Sequence, residues 1–474
     1  TVTYDGVDQA VFSDDYYSLT AGGGTGTKTF GGAVTVAGDF TIDTGVTTAM
    51  GANNLTVAGA TTIPGTVTIS TATLDANGAF DATGGNVTFT GAGNLTLAST
   101  VEDLGTLSTN FGKVTYDGTA QTIFLDTYYD LTAGNANIKT LGGDVVVSRD
   151  LTIDAGVTLD VSSNDYSINV ARNFANSGTF TMQDGLVTFD GNDHQTLTSG
   201  GSSFYAITFN NGGGSGKKLI IDGALTLANN LTITAGTLDL DTNDPNISIA
   251  GDLAIADGAL WTKGSGTATF AGATQSLSDG NTTPNDLGGA LINSTQMTVT
   301  TDATFTSLQI SLGGKNILNT GKTLAITGAL TIAGELEMAD SSVVDAGGGV
   351  TVTGTLDMDG SSRLKTEGDL TFTAGTLDAE DGTGIDLDGG ATQTVTGTVI
   401  GNFKSLTRRG NPTIFDITAT IEDSLDAGGQ AFTISAGKTL TMDANSVTVI
   451  SGGAWTRTGT LALDADSKVL YTTG

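Results

Sequence analysis

Residues 328–347 read GALTIAGELEMADSSVVDAG, residues 348–367 read GGVTVTGTLDMDGSSRLKTE, and residues 368–387 read GDLTFTAGTLDAEDGTGIDL. Written one under another with a single extra residue, Ala374, they fall into columns. Leu330, Val350 and Leu370 share one column, and Ile332, Val352 and Phe372 share a second. Leu336, Leu356 and Leu377 form a third, and Met338, Met358 and Ala379 a fourth. A fixed period of about 20 residues is the mark of a solenoid, in which each repeat is one supersecondary unit stacked on its neighbours. Inside a repeat, apolar and polar residues alternate, as in Val350-Thr351-Val352 and Leu356-Asp357-Met358. That is the period of a strand with one buried face. Gly, Asn, Asp and Ser fill the breaks, as turns require. No segment sustains the i, i+3, i+4, i+7 spacing of an amphipathic helix. Three short strands and three turns make one coil of a parallel β-helix. A lone coil cannot offset the entropy of ordering its backbone, so it folds only when neighbours above and below close the core. The expected fold is therefore all-β, a parallel β-helix of about 20 residues per coil. At ~4.8 Å per stacked strand this gives a continuous rod about 110 Å long over residues 1–474.

Composition supports this reading and excludes others. A globular chain of 474 residues is expected to divide into domains, whereas a solenoid grows along one axis and keeps a single core. The absence of Cys rules out disulfide staples and thiolate metal sites. Asp and Glu number 50 against 18 Lys and Arg, a net charge of −32. That balance argues against nucleic acid as a partner and against anionic membrane surfaces, and it favours solubility and divalent cations. No apolar run reaches the length of a membrane span, so membrane insertion is not expected. The chain begins at Thr1 without Met or signal peptide, which reads as a processed chain or a segment of a longer one.

A longer period overlies the short one. Tyr4-Asp5-Gly6, Tyr116-Asp117-Gly118, Phe189-Asp190-Gly191, Phe270-Ala271-Gly272 and Leu387-Asp388-Gly389 each precede a Gln, at positions 9, 121, 195, 275 and 393. Four of these seams continue into an aromatic-x-x-aliphatic-Thr element starting at Tyr16, Tyr128, Phe204 and Phe403. The first two, VTYDGVDQAVFSDDYYSLTAG and VTYDGTAQTIFLDTYYDLTAG, are close copies. The seams suggest modules at approximately 1–113, 114–185, 186–266, 267–382 and 383–468, with 469–474 opening a further one. Starting and ending at one phase of the repeat suits head-to-tail stacking of copies, or a longer chain of the same repeats.

The phrase VTFDGNDHQTLTSGGSSFYAITFNNGGGSG, followed by LTLANNLTITAGTLDLDTN, resembles the modular repeats of large secreted bacterial surface proteins. These are the β-helical passengers and adhesins of the autotransporter and filamentous-haemagglutinin type. The resemblance implies a right-handed helix, an extracellular or cell-surface location, and a role in adhesion, matrix or filament formation. It carries over no catalytic residue.

Several residue groups qualify as candidate sites. Glu337, Asp357 and Asp378 occupy one outward column, so stacking aligns their carboxylates about 4.8 Å apart. Such a ladder is either screened by salt or relieved by Ca2+, the one cofactor the sequence suggests, and none is required. Tyr16-Tyr17, Tyr128-Tyr129 and Phe204-Tyr205 recur at the seams. They are aromatic platforms for glycans or neighbouring rods, or else one ring fills the core while the next covers the loop. His194, the single histidine, reads as a solvated loop residue. Arg408-Arg409 in the Thr407–Gly410 stretch are the one adjacent arginine pair and read as an exposed turn. Gly22–Gly26 with Lys28 imitates a phosphate loop, but Thr27 stands where the motif needs Gly and no helix follows, so it reads as a turn. Thr-rich strands such as Thr351-Val352-Thr353 hint at a flat threonine array that does not persist. The chain accordingly reads as a structural rod of a bacterial surface filament, fibre or matrix rather than an enzyme. An adhesin that binds glycans through its seam loops is the alternative, and a polysaccharide lyase or hydrolase a weaker one.

Overall fold

The computed structural model describes residues 1–108, 110–409, 412–428, 431–451 and 455–472. Gly410 of the expected arginine turn and residues 473–474 of the last seam lie outside them. Among the described residues there is no helix. Strand makes up 54% of the chain, in parallel coils about 20 residues apart that form a β-solenoid of about 23 turns. Contacts divide the chain into two compact units, residues 1–228 with 234–238, and residues 229–233 with 239–474.

Both units are built alike, from three strands per turn. In the first, Phe40–Ile42, Val46–Gly51 and Leu55–Val57 pair in parallel with Thr61–Thr62, Thr66–Ile69 and Thr73–Ala76. In the second, Leu330–Ile332, Glu335–Met338 and Val343–Ala346 pair with Val350–Val352, Thr355–Met358 and Arg363–Thr366. The expected columns are the observed register. Leu330 faces Val350 and Val350 faces Leu370. Leu336 faces Leu356, and Leu356 faces Leu377. All of these side chains are buried, while their sequence neighbours point outward, because successive strand residues face opposite sides.

The extra residue of the third coil has a local cause. Ala374 takes a left-handed backbone, φ 57°, inside the long strand Leu370–Ala379. It absorbs the insertion as a bulge and returns Leu377 to the inward face. Elsewhere the period is looser than these three coils suggest. The coil from Val114 to Leu131 is shorter, and that from Leu197 to Ile221 longer, than the quoted repeats. In these two coils the paired strands keep their register and the corners take up the difference, whereas the register shifts at Thr68/Ile69, Phe80/Asp81, Thr373/Gly375 and Phe403/Ser405.

Candidate functional site

The seams are internal locks. The Gln121 side chain accepts a hydrogen bond from the Gly118 amide at 3.0 Å and donates to the Leu97 and Ser99 carbonyls of the coil below at 2.9 and 2.7 Å. Gln275 repeats this on Gly272, Ile249 and Gly251, and Gln393 on Gly389, Thr366 and Gly368. One buried amide thus satisfies backbone groups of two coils where a corner interrupts the ladder. The glycine is needed because a Cβ at Gly118 would lie 2.2 Å from the Ala98 carbonyl oxygen. Gln195 differs: it donates to Val170 at 2.9 Å and accepts from the Asn211 amide at 3.2 Å.

The paired aromatics divide as strand geometry dictates. Tyr16, Tyr128 and Phe204 are buried, whereas Tyr17 is 79% exposed and Tyr129 and Tyr205 are half-buried. The inner tyrosines pair with the seam tyrosines, Tyr4 to Tyr16 at 2.8 Å and Tyr116 to Tyr128 at 2.9 Å between hydroxyls, each pair edge-to-face. The Phe12 and Phe124 amides donate to the Tyr4 and Tyr116 hydroxyls, and the Tyr16 and Tyr128 hydroxyls donate to the same two residues' carbonyls. Burial pushes the Tyr128 hydroxyl pKa well up. Only the outer rings are left for a ligand.

The acidic ladder stands in register, with Glu337 beside Asp357 and Asp357 beside Asp378. The close group, however, is Glu335, Glu337 and Asp357, whose carboxylate oxygens lie within 4.8 Å of one another, while Asp378 is exposed. This set of hard oxygen donors suits Ca2+. Lys315, on the preceding coil, already places its Nζ 2.6 Å from Glu335 and 2.6 Å from Glu337. Burial, then the Asp359, Asp378, Glu337 and Glu335 charges, push the Asp357 carboxyl up to about 6. Glu335 and Lys315 were legible only once the neighbouring coil at 315–318 was aligned.

Other cations also serve the scaffold. Lys28 and Lys139 are fully buried at the same seam phase, each facing a seam Gln, and cap carbonyls: Lys28 those of Gly6 and Val7, Lys139 those of Thr119 and Ala136. Burial lowers the Lys139 pKa. The glycine run before Lys28 is thus a turn, and the lysine an internal cap. Arg408 corrects the sequence reading. It is buried at the end of strand Phe403–Arg408 and donates to Thr413, Ala427 and Ala431. Its guanidinium donors thus meet the Thr413 hydroxyl and the Ala427 and Ala431 carbonyls inside the stack. Arg409 is exposed and lies 3.5 Å from Asp386, which Arg363 also approaches at 3.5 Å. His194 is exposed in its loop. Thr331, Thr351, Thr371 and Thr396 stand in one file, and Thr96, Thr115, Thr132 and Thr152 in another, although Thr132 is buried.

These features define a parallel β-solenoid repeat protein of about 23 turns whose seams are structural locks. No protein-family model matches the chain, and no curated protein matches it. No helix among the described residues is long and apolar enough to cross a membrane.

Proposed function

We propose that the chain is a structural protein, the β-solenoid shaft of an extracellular filament, fibre or matrix on a bacterial surface. The observation that carries this reading is the register itself. Leu308, Leu330, Val350, Leu370 and Val395 continue one buried column through successive coils, with ladder hydrogen bonds on every face. Extending such a stack requires whole strand ladders to break together, and its backbone offers a protease few free segments. Commitment of the Gln, inner Tyr, Lys and Arg408 side chains to locking corners fits the same role. Its partners are further coils of the same repeat, in one chain or in another copy, since a parallel ladder accepts another strand of matching register. The −32 charge keeps shafts apart and disfavours nucleic acid and anionic lipid. The reading includes no catalytic centre and requires no cofactor.

Electron microscopy of the native material, with antibody labelling of intact cells, tests it. Labelled surface fibres are the expected result. A purely intracellular label, or release of reducing ends from an acidic polysaccharide by the purified chain, would overturn it.

A further inference from the structure

One corner of the first unit gathers side chains that are scarce elsewhere. Tyr129, Arg149 and Arg172 stand on three successive coils, each directly before a strand: Asp130–Ala133, Asp150–Ile153 and Asn173–Asn176. The strand-start residues are tied to one another, the Asp150 amide donating to Asp130 at 3.1 Å and the Asn173 side chain to Asp150 at 2.9 Å. The guanidinium of Arg149 lies 5.5 Å from the Tyr129 ring centre and pairs with Asp130 at 3.3 Å and Asp150 at 3.2 Å. Arg172 lies 3.7 Å from Asp150. Facing them is the seam turn Asp190–Asp193, where Lys217 holds Asp193 at 2.7 Å. A hollow of about 610 Å3 lies between, and a second of about 270 Å3 flanks the other side of Tyr129, against Phe111 and Lys113.

The charges decide the ligand class. Arg149, Arg172 and Lys217 on the larger hollow are matched by Asp190 and Asp193 on its lining and by Asp150, which pairs with both arginines, while Lys113 and Asp130 balance in the smaller one, so the corner is electrically balanced on a chain of net charge −32. The field of the whole chain repels a polyanion, and fixed guanidinium groups disfavour a cation. What remains is a neutral ligand that presents an apolar face to a ring and pairs of hydroxyls to alternating donors and acceptors. We propose that this hollow binds a neutral saccharide, with a pyranose face against Tyr129 and hydroxyls bonded to Arg149, Arg172 and the Asp190–Asp193 turn. The first seam lacks the arrangement: there Gly38 and Gly59 stand where Arg149 and Arg172 do here, beside the exposed Tyr17. The proposal goes beyond the structural role and does not rest on it.

The full chain should be screened on neutral hexose and N-acetylhexosamine oligosaccharides, with uronate- and sulfate-bearing oligosaccharides as comparison arms. Hits are then titrated by calorimetry. Specific neutral hits are expected, weakened at least about tenfold in Kd by Tyr129→Ala and, separately, by Arg172→Gln. Tyr17→Ala, at the seam that lacks the arrangement, should bind as the unaltered chain does. Circular dichroism melts verify that each variant is folded, and saturation-transfer NMR on the unaltered chain reads the sugar's ring protons against an aromatic ring without any substitution. No neutral hit, hits confined to the acidic arms, or affinity unchanged in both Tyr129→Ala and Arg172→Gln would overturn the proposal.

Discussion

A single buried amide at four of the five seams does the work that a continuous ladder does along the strands. Gln121 holds three backbone groups from two coils, whereas the half-buried Gln9 accepts from the Gly6 amide at 2.6 Å. Removing a side chain that leaves buried donors and acceptors unmade costs far more than the bond's net worth. Gln121→Ala is therefore expected to destabilise by about 2–4 kcal/mol and Gln9→Ala by about 1 kcal/mol, read from urea midpoints at constant slope. Asp357 behaves in the opposite sense. Its folded pKa of about 6 exceeds the ordinary carboxyl value, so the fold favours the protonated form. The stability it contributes is complete below the unfolded pKa and is lost as pH rises through 6. Asp357→Asn keeps the neutral shape. It should stabilise by up to about 1 kcal/mol at pH 7, after allowance for solvent screening, and the gain should vanish near pH 4. Melts of both proteins across that range check the sign.

At the scale of the strand, one residue too many is tolerated where a bulge can hold it. Ala374 occupies a left-handed conformation that costs an L-residue roughly 1–2 kcal/mol. Glycine adopts it freely, though it loses more freedom on folding. Ala374→Gly is expected to raise stability by up to about 1 kcal/mol, while Leu356→Ala in the adjacent coil should lower it by about 2–5 kcal/mol. If Ala374→Gly instead destabilises by a comparable amount, the bulge is not where the insertion is absorbed. The columns through Leu356 and Val350 were readable in the sequence because period 2 inside period 20 leaves one register that buries both columns together. The shorter and longer coils hid from the same reading, since corners of variable length carry no hydrophobic period.

For the molecule as a whole, charge sets the response to solvent. Net −32 makes self-repulsion a general destabilising term that salt screens, so melting temperature should rise between low salt and about 0.5 M NaCl. Burial raises the pKa of Asp117, Asp190 and Asp388 at the seams, and of Asp126 and Asp130. Between the unfolded and these higher folded values the native chain binds more protons, and stability falls as pH rises. Asp81, Asp340 and Glu422 are held low by hydrogen bonds and lose their contribution only in stronger acid. Melting temperature should therefore peak at about pH 4–5 rather than at neutrality. A peak at pH 7 or above would contradict the burial of the seam aspartates.

The chain's own letters were enough for the architecture, the inward columns, the alternation of inner and outer aromatics, and the existence of the seams. All of these follow from local periodicity and from the rule that neighbouring strand residues face opposite ways. Which polar residues turn inward could not be read that way. Lys28, Lys139 and Arg408 look like surface cations in sequence, yet each is buried because unpaired carbonyls at irregular corners outweigh the cost of desolvating a single long side chain. The meeting of Lys315 with two glutamates, and of Tyr129 with Arg149 and Arg172, likewise required the stack. Residues about 20 positions apart become neighbours only when coils of unequal length settle into one register, and that settlement is a property of the whole core.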